Sequence, residues 1–167
     1  QLVEKHLNAL FGDAFSNTLN FLTIETTSNE QVKLNFTQNT VFVDEVSEKQ
    51  LIVLINRERV SFGLKALEEN TSLQDLARSY GKQIFATGLF AHTDTNGDTA
   101  FTRMEKAHIP YLAAGENLAI APGVFIAHQG LMQSKTHREN ILSNKFSRIG
   151  IGVIDGGIYG KVFVEEF

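Results

Sequence analysis

Ser134-Lys135-Thr136-His137-Arg138-Glu139-Asn140-Ile141-Leu142, followed by Phe146-Ser147-Arg148-Ile149-Gly150-Ile151-Gly152-Val153, is the stretch on which the reading of this chain turns. It places an imidazole, His137, where a helix gives way to a loop. It then runs into an apolar strand with glycines at alternate positions. Two earlier pieces carry residues that could serve the same site. They are Phe90-Ala91-His92-Thr93-Asp94 and Gly115-Glu116-Asn117-Leu118-Ala119. Spacing alone gives two histidines and a carboxylate that could converge, and no particular reaction.

The totals narrow the choices. A chain of 167 residues with 43% hydrophobic residues suits one domain with a real core, or a domain plus an extension. Phe is frequent, at 13, and Trp is absent. A net charge of -4 argues against a nucleic-acid partner, which would need a basic face. Arg57, Arg59 and Lys65 sit among acidic residues and read as a solvated helix face. With no cysteine, there is no disulfide, thiolate metal site or Cys nucleophile. No run of about 18 apolar residues is present, so no membrane span is expected.

Taken in order, residues 1–11 show a helical apolar spacing. Residues 21–43 alternate in the manner of strands and read as a hairpin or small meander, an accessory segment with no chemistry of its own. Ser47 with Gln50 fits a capping box for a helix running to Phe62-Gly63. Thr71 or Ser72 fits the cap of a second helix, ending at Gly88. Asp98 or Thr99 fits the cap of a short third, and a further helix is expected over about 124–134. Gly115 to Pro122 reads as a compact loop. Two strands, 148–154 and 158–166, close the chain around Asp155-Gly156-Gly157, a tight hairpin signal. Helices followed by an antiparallel pair make the fold class α+β.

The ordered pieces resemble the CAP superfamily, the SCP domain of cysteine-rich secretory proteins, insect antigen 5 and plant pathogenesis-related proteins. The bacterial branch is the nearer likeness. The resemblance rests on Leu54-Ile55-Asn56-Arg57-Glu58-Arg59 with Gly63-Leu64 and Leu67, then Ala91-His92-Thr93-Asp94 with Gly97 and Arg103. Gly115 to Ala119, Ser134 to Leu142 and Ile149 to Val153 complete it. It covers residues 46–167 and leaves residues 1–45 as an N-terminal extension. It implies a three-layer α-β-α sandwich with a central, mostly antiparallel sheet. It also implies a cleft lined by two histidines and two acids: His92, Glu116, His137 and, at the position of the second acid, Gln129. His92 and His137 would be the metal ligands, with zinc as the expected ion.

Three functions are compatible with this. The first is an exported or cell-surface, non-catalytic binding module whose His/Glu cleft takes a small ligand, a peptide or a divalent metal. The second is a metal-assisted, peptidase-like hydrolase, with His92, Glu116 and His137 as candidate catalytic residues. The third is an envelope interaction module that docks a protein partner through the N-terminal segment. Against each stands the plain alternative that Glu116 and His137 hydrogen-bond to each other or to backbone groups and organise the loops. Asn117 is expected to satisfy loop backbone, Arg138 to pair locally, and Ser134 to cap the turn before His137. His128 and His108 read as core or surface histidines. The loop from Asp94 to Asp98 has calcium-like spacing but lacks the distal bidentate Glu.

Overall fold

The computed structural model describes residues 21–167. The helical pattern expected over residues 1–11 lies outside the described residues. In chain order the elements are β1 (Leu22–Thr23), β2 (Gln31–Lys33), β3 (Phe42–Val43), α1 (Glu45–Ser61), β4 (Glu68–Glu69), α2 (Thr71–Thr87) and β5 (Leu89–Ala91). There follow α3 (Ala100–Lys106), β6 (Glu116–Ala121), α4 (Val124–Gln133), α5 (Lys135–Ile141), β7 (Arg148–Asp155) and β8 (Lys161–Glu166).

β7 and β8 pair antiparallel, and β8 pairs antiparallel with β6. The six-stranded sheet runs β1-β6-β8-β7-β3, with β4 parallel to the start of β7. β2 and β5 form a separate antiparallel pair. Helix α2 covers one face of the sheet, where Ala77, Tyr80, Ile84 and Phe85 pack on Leu118, Ile120, Ile154, Val162 and Val164. On the other face α1, α4 and α5 bring Leu51, Ile55, Ala127, Leu131 and Ile141 against Ala119, Val153 and Phe163. This is the expected three-layer sandwich, and its central sheet is mostly antiparallel. Each large apolar side chain buried in it contributes about 1.5–3 kcal/mol of transfer free energy.

The alternating glycines of β7 have a steric reason. A Cβ at Gly150 would lie 2.1 Å from the backbone carbon of Leu73, and one at Gly152 2.5 Å from that of Ala77. The backbone of α2 therefore rests directly on the strand.

Several local expectations need correction. Residues 116–121 are a strand, not a loop. β6 is buried on both faces, so it shows no polar/apolar alternation to mark it. The three N-terminal strands do not pair with one another. β1 joins β6, β2 joins β5 and β3 joins β7, so long-range partners replace the local meander. The cap of α1 is Asp44, whose Oδ1 accepts from the Ser47 amide at 3.0 Å, and the cap of α2 is Asn70. Thr99 caps α3 as expected. A 3-10 turn, Gly157–Tyr159, lengthens the link between β7 and β8 beyond a tight hairpin.

Arg59 is the largest departure, because it is buried. Its Nε donates to the Lys65 carbonyl at 2.9 Å, and its Nη1 donates to the carbonyls of Ile141 and Ser143, each at 2.8 Å. It thereby satisfies carbonyls at the C-terminal end of α5, the helix that carries His137.

Candidate functional site

Three elements bring the predicted residues together. His92 follows β5, Glu116 opens β6, and His137 lies in α5. The β5–α3 connection folds around Asp94, whose Oδ1 accepts from the amides of Asn96 and Asp98 at 2.8 and 2.9 Å. The calcium-like spacing of this loop is thus the spacing of a side-chain-closed turn.

Glu116 is buried and held on both sides. His92 Nδ1 donates to its Oε1 at 2.7 Å, and the Arg103 guanidinium donates to its Oε2. Arg103 lies over the Tyr80 ring, its Cζ 3.5 Å from the centroid. It also donates to the carbonyls of His92 and Asp98, at 3.2 and 2.9 Å. Burial alone would lower the Arg103 pKa, but the Glu116 charge beside it raises it above the ordinary value. Next to this pair Glu166 is fully buried, and its carboxyl is pushed well up by that burial and by the Glu116 charge.

His137 is fully buried. Burial pushes its pKa down to about 4, and the neighbouring His92 adds to the effect, while the Ile24 carbonyl opposes it. The ring is neutral near pH 7, and its tautomer follows from its partners. The Ser134 hydroxyl lies 2.6 Å from Nδ1 and donates to it, leaving the proton on Nε2. That Nε2 donates to the Ile24 carbonyl at 2.8 Å, with the Thr23 hydroxyl oxygen also 2.9 Å away. The Thr23 hydroxyl in turn donates to the Leu118 carbonyl.

His92 Nε2 points to the same Ile24 oxygen, at 3.1 Å. The two imidazoles therefore converge on a single carbonyl oxygen, supplied by the N-terminal segment. The predicted cleft is covered by that segment, and His92 and Glu116 are only 8% and 4% exposed.

Of the predicted site residues, His92, Glu116 and His137 lie together. Gln129 is exposed on α4, and the residue at the end of that helix that reaches the site is Ser134. Ser134 occupies the N-cap position of α5 but makes no side-chain cap, because its hydroxyl is taken by His137. Asn117, expected to serve a loop, bridges strands and helix. Its Nδ2 donates to Glu165 Oε2 at 2.8 Å and to the His137 carbonyl at 3.2 Å, and its Oδ1 accepts from Asn140 at 2.9 Å. Arg138 lies over the Phe62 ring at 5.4 Å, and His128 is buried with Glu58 3.9 Å away. His108 is exposed and has a positive φ of 55°.

Comparison with known proteins agrees with this fold. The profile described as CAP, the cysteine-rich secretory protein family, matches residues 52–167. The uncharacterized protein YkwD of Bacillus subtilis is 31% identical over 138 residues, which cover 81% of this chain and 52% of that protein. The uncharacterized membrane protein YlbC of the same organism is 28% identical over 129 residues, covering 75% of this chain and 36% of that protein. The chain thus spans about half or less of the curated relatives it matches. An extracellular protein containing an SCP domain from Bacillus anthracis superposes with a TM-score of 0.67 at 26% identity, over 74% of this chain and 40% of that one. An outer surface protein of Borrelia burgdorferi superposes with a TM-score of 0.72 at 21% identity, over 77% of this chain and 96% of that one. On the strength of the family profile and these relatives, and despite having no cysteine of its own, the chain belongs to the CAP family of cysteine-rich secretory proteins.

Proposed function

We propose that the domain is a non-catalytic binding module working outside the cytoplasm, and that His92 and His137 are the donors with which it grips an oxygen of its ligand. The observation that carries this reading is the convergence of two Nε2 atoms on one carbonyl oxygen, at 3.1 and 2.8 Å. Two ring nitrogens on one oxygen, in a buried site, form a directional contact. The surrounding residues orient the rings. Glu116 and Arg103 fix His92, while Ser134 fixes the tautomer of His137. The location outside the cytoplasm is supported by similar proteins described as extracellular or as an outer surface protein.

The same two nitrogens suit zinc, which takes imidazole readily. Among the described residues no group of three or more His, Cys, Asp or Glu is arranged to hold a metal. Two imidazoles would therefore be the protein's share, with water or ligand completing the set. When bound, zinc would supply a Lewis acid to a ligand oxygen. Coordination at His137 requires its proton to leave Nε2 for Nδ1, and the Ser134 hydroxyl can turn from donor to acceptor to receive it. The hydrolase reading fares worse. Both oxygens of Glu116 are engaged within the protein, an arrangement that orients a ring rather than one that takes a proton from water.

Calorimetric titration of zinc into the full chain, and into its His92→Ala and His137→Ala variants, tests the pair. One-site binding lost in both variants is expected. Binding indifferent to both changes would contradict the pairing. Turnover of a peptide library that disappears in the same variants would overturn the non-catalytic assignment.

A further inference from the structure

We infer that residues 21–24 are a built-in stand-in for an extended peptide ligand, and that the edge of β6 together with the two histidines is a peptide-binding site. This rests on the binding role of the histidine pair and names the class of ligand it takes.

The main chain supplies the first argument. Among the described residues β1 is the outermost strand on its side of the sheet, and it pairs with β6 through Leu22 opposite Ile120 and Thr23 opposite Ala119. Were it to leave, β6 would present a free edge beginning at Glu116, beside the histidines. A free edge of this kind accepts any extended chain through backbone hydrogen bonds.

The side chains supply the second. Phe21 packs into the core shared with Ala127 and Leu131, while Leu22 and Ile24 pack into the core on the opposite face. The seat for Phe21 is shaped by a missing side chain, since a Cβ at Gly130 would lie 2.7 Å from the Phe21 ring. Thr23 bonds to the Leu118 carbonyl and lies within reach of His137. The Ile24 carbonyl then enters the histidine pair. A peptide offers such a carbonyl at every residue, so the pair fixes position while the Phe seat and the threonine contact select sequence. The recognised pattern is aromatic, aliphatic, hydroxyl, aliphatic, in extended conformation.

The third argument is the exit. After Ile24 the chain passes through residues 25–30, half-buried or exposed, closed by the Ser28 amide donating to the Glu25 carbonyl at 2.9 Å. This surface tether lets residues 21–24 detach without disturbing the pairing of β7 with β8.

The test uses the full chain and a synthetic peptide with the sequence of residues 21–27, Phe-Leu-Thr-Ile-Glu-Thr-Thr. In the wild type the tethered segment competes at an effective concentration on the order of millimolar. Phe21→Ala weakens the tethered copy only. We expect that variant to bind the free peptide at least about tenfold more tightly than the wild type, as the binding-competent fraction rises. Adding Gly130→Ala, which fills the seat, should abolish the gain, as should a peptide whose Phe is replaced by Ala. A Phe21→Ala chain that binds no more tightly than wild type overturns the inference. Should that variant not fold, amide exchange in the wild type decides. Exchange in β1 at least about tenfold faster than in the β7–β8 ladder supports detachment, and equal rates overturn it. Failure of the peptide alongside zinc binding that still needs both histidines strikes only the peptide class. Zinc binding indifferent to both histidines strikes the pair itself.

Discussion

Among the described residues the sheet ends in two strands of two residues each, β1 and β3, and they are built for different ends. β3 leads straight into the Asp44 cap of α1. Asp44 accepts from Ser47 and pairs with Lys161, which also reaches Asp155 at 3.1 Å. The Phe42 side chain of β3 is 67% exposed. β1 and its neighbours bury Phe21, Leu22 and Ile24, and the Ile24 carbonyl turns onto two histidines. One edge strand is a fastener held by a partly solvated ion pair. The other sits as a ligand would, in front of a buried ion pair. Equal strand length conceals opposite electrostatic settings.

Substitution at the two ion pairs should separate the ends most sharply. Arg103→Met leaves Glu116 buried without its guanidinium, and is expected to cost about 3–5 kcal/mol in chemical denaturation. Lys161→Met, at the β3 end, is expected to cost about 0–1 kcal/mol. Similar losses at both ends would break the comparison.

The ends should also titrate in different windows. Asp44 is held down to about 2 against an ordinary 3.8, because Lys161 and Ser47 outweigh its burial. Its folded pKa is depressed, so its share of stability is present above pH 3.8 and fades as pH falls towards 2. Near the site, His137 is depressed by burial to about 4 from 6.5, so its share is complete above pH 6.5 and fades as pH falls towards 4. Glu165 is pushed up by burial to about 7 from 4.5, opposed by the Asn117 hydrogen bond. Its folded pKa is raised, so its share is complete below pH 4.5 and is lost as pH rises through 7. Glu165→Gln should therefore flatten the decline in stability between pH 4.5 and 7 and leave the acid limb set by Asp44 unchanged. Denaturation midpoints across that range are the readout.

The smallest expected effect is that of Gly130→Ala on global stability. Removing a helical glycine gains roughly 1 kcal/mol of propensity, offset by displacing Phe21. A near-zero net change with faster amide exchange in β1 is expected. A loss of several kcal/mol would place β1 among the fasteners with β3.

How much of this is legible in the sequence depends on where the partners lie. The two histidines, Glu116 and the layered fold come from the family likeness that the ordered motifs carry. Helices with one apolar face, such as α2 and α4, are legible because their period is local. β6 reads as a loop because burial on both faces erases alternation. The N-terminal segment reads as a local meander because its true partners lie far along the chain, as Leu22 opposite Ile120 and Gln31 opposite Ala91 show. Arg59 carries an overlooked signal. It falls four residues after Ile55 and eight after Leu51, on the apolar face of α1, where an arginine is placed for buried partners rather than for water. Arg103, beside Met104 and three residues after Ala100 on the buried face of α3, carries the same signal. Thr23 and Ile24 carry none, because a backbone carbonyl has no signature in sequence.

The central claim is that one backbone carbonyl occupies both imidazole Nε2 positions. Nitrogen-edited NMR of the histidine rings in the full chain at neutral pH tests it most directly. The account predicts slowly exchanging Nε2–H signals from both His92 and His137, with Nδ1 of His137 bare, and loss of that protection in the Phe21→Ala chain, where residues 21–24 are released. A His137 ring protonated on Nδ1, or Nε2 protons that exchange freely with water in the wild type, would contradict it.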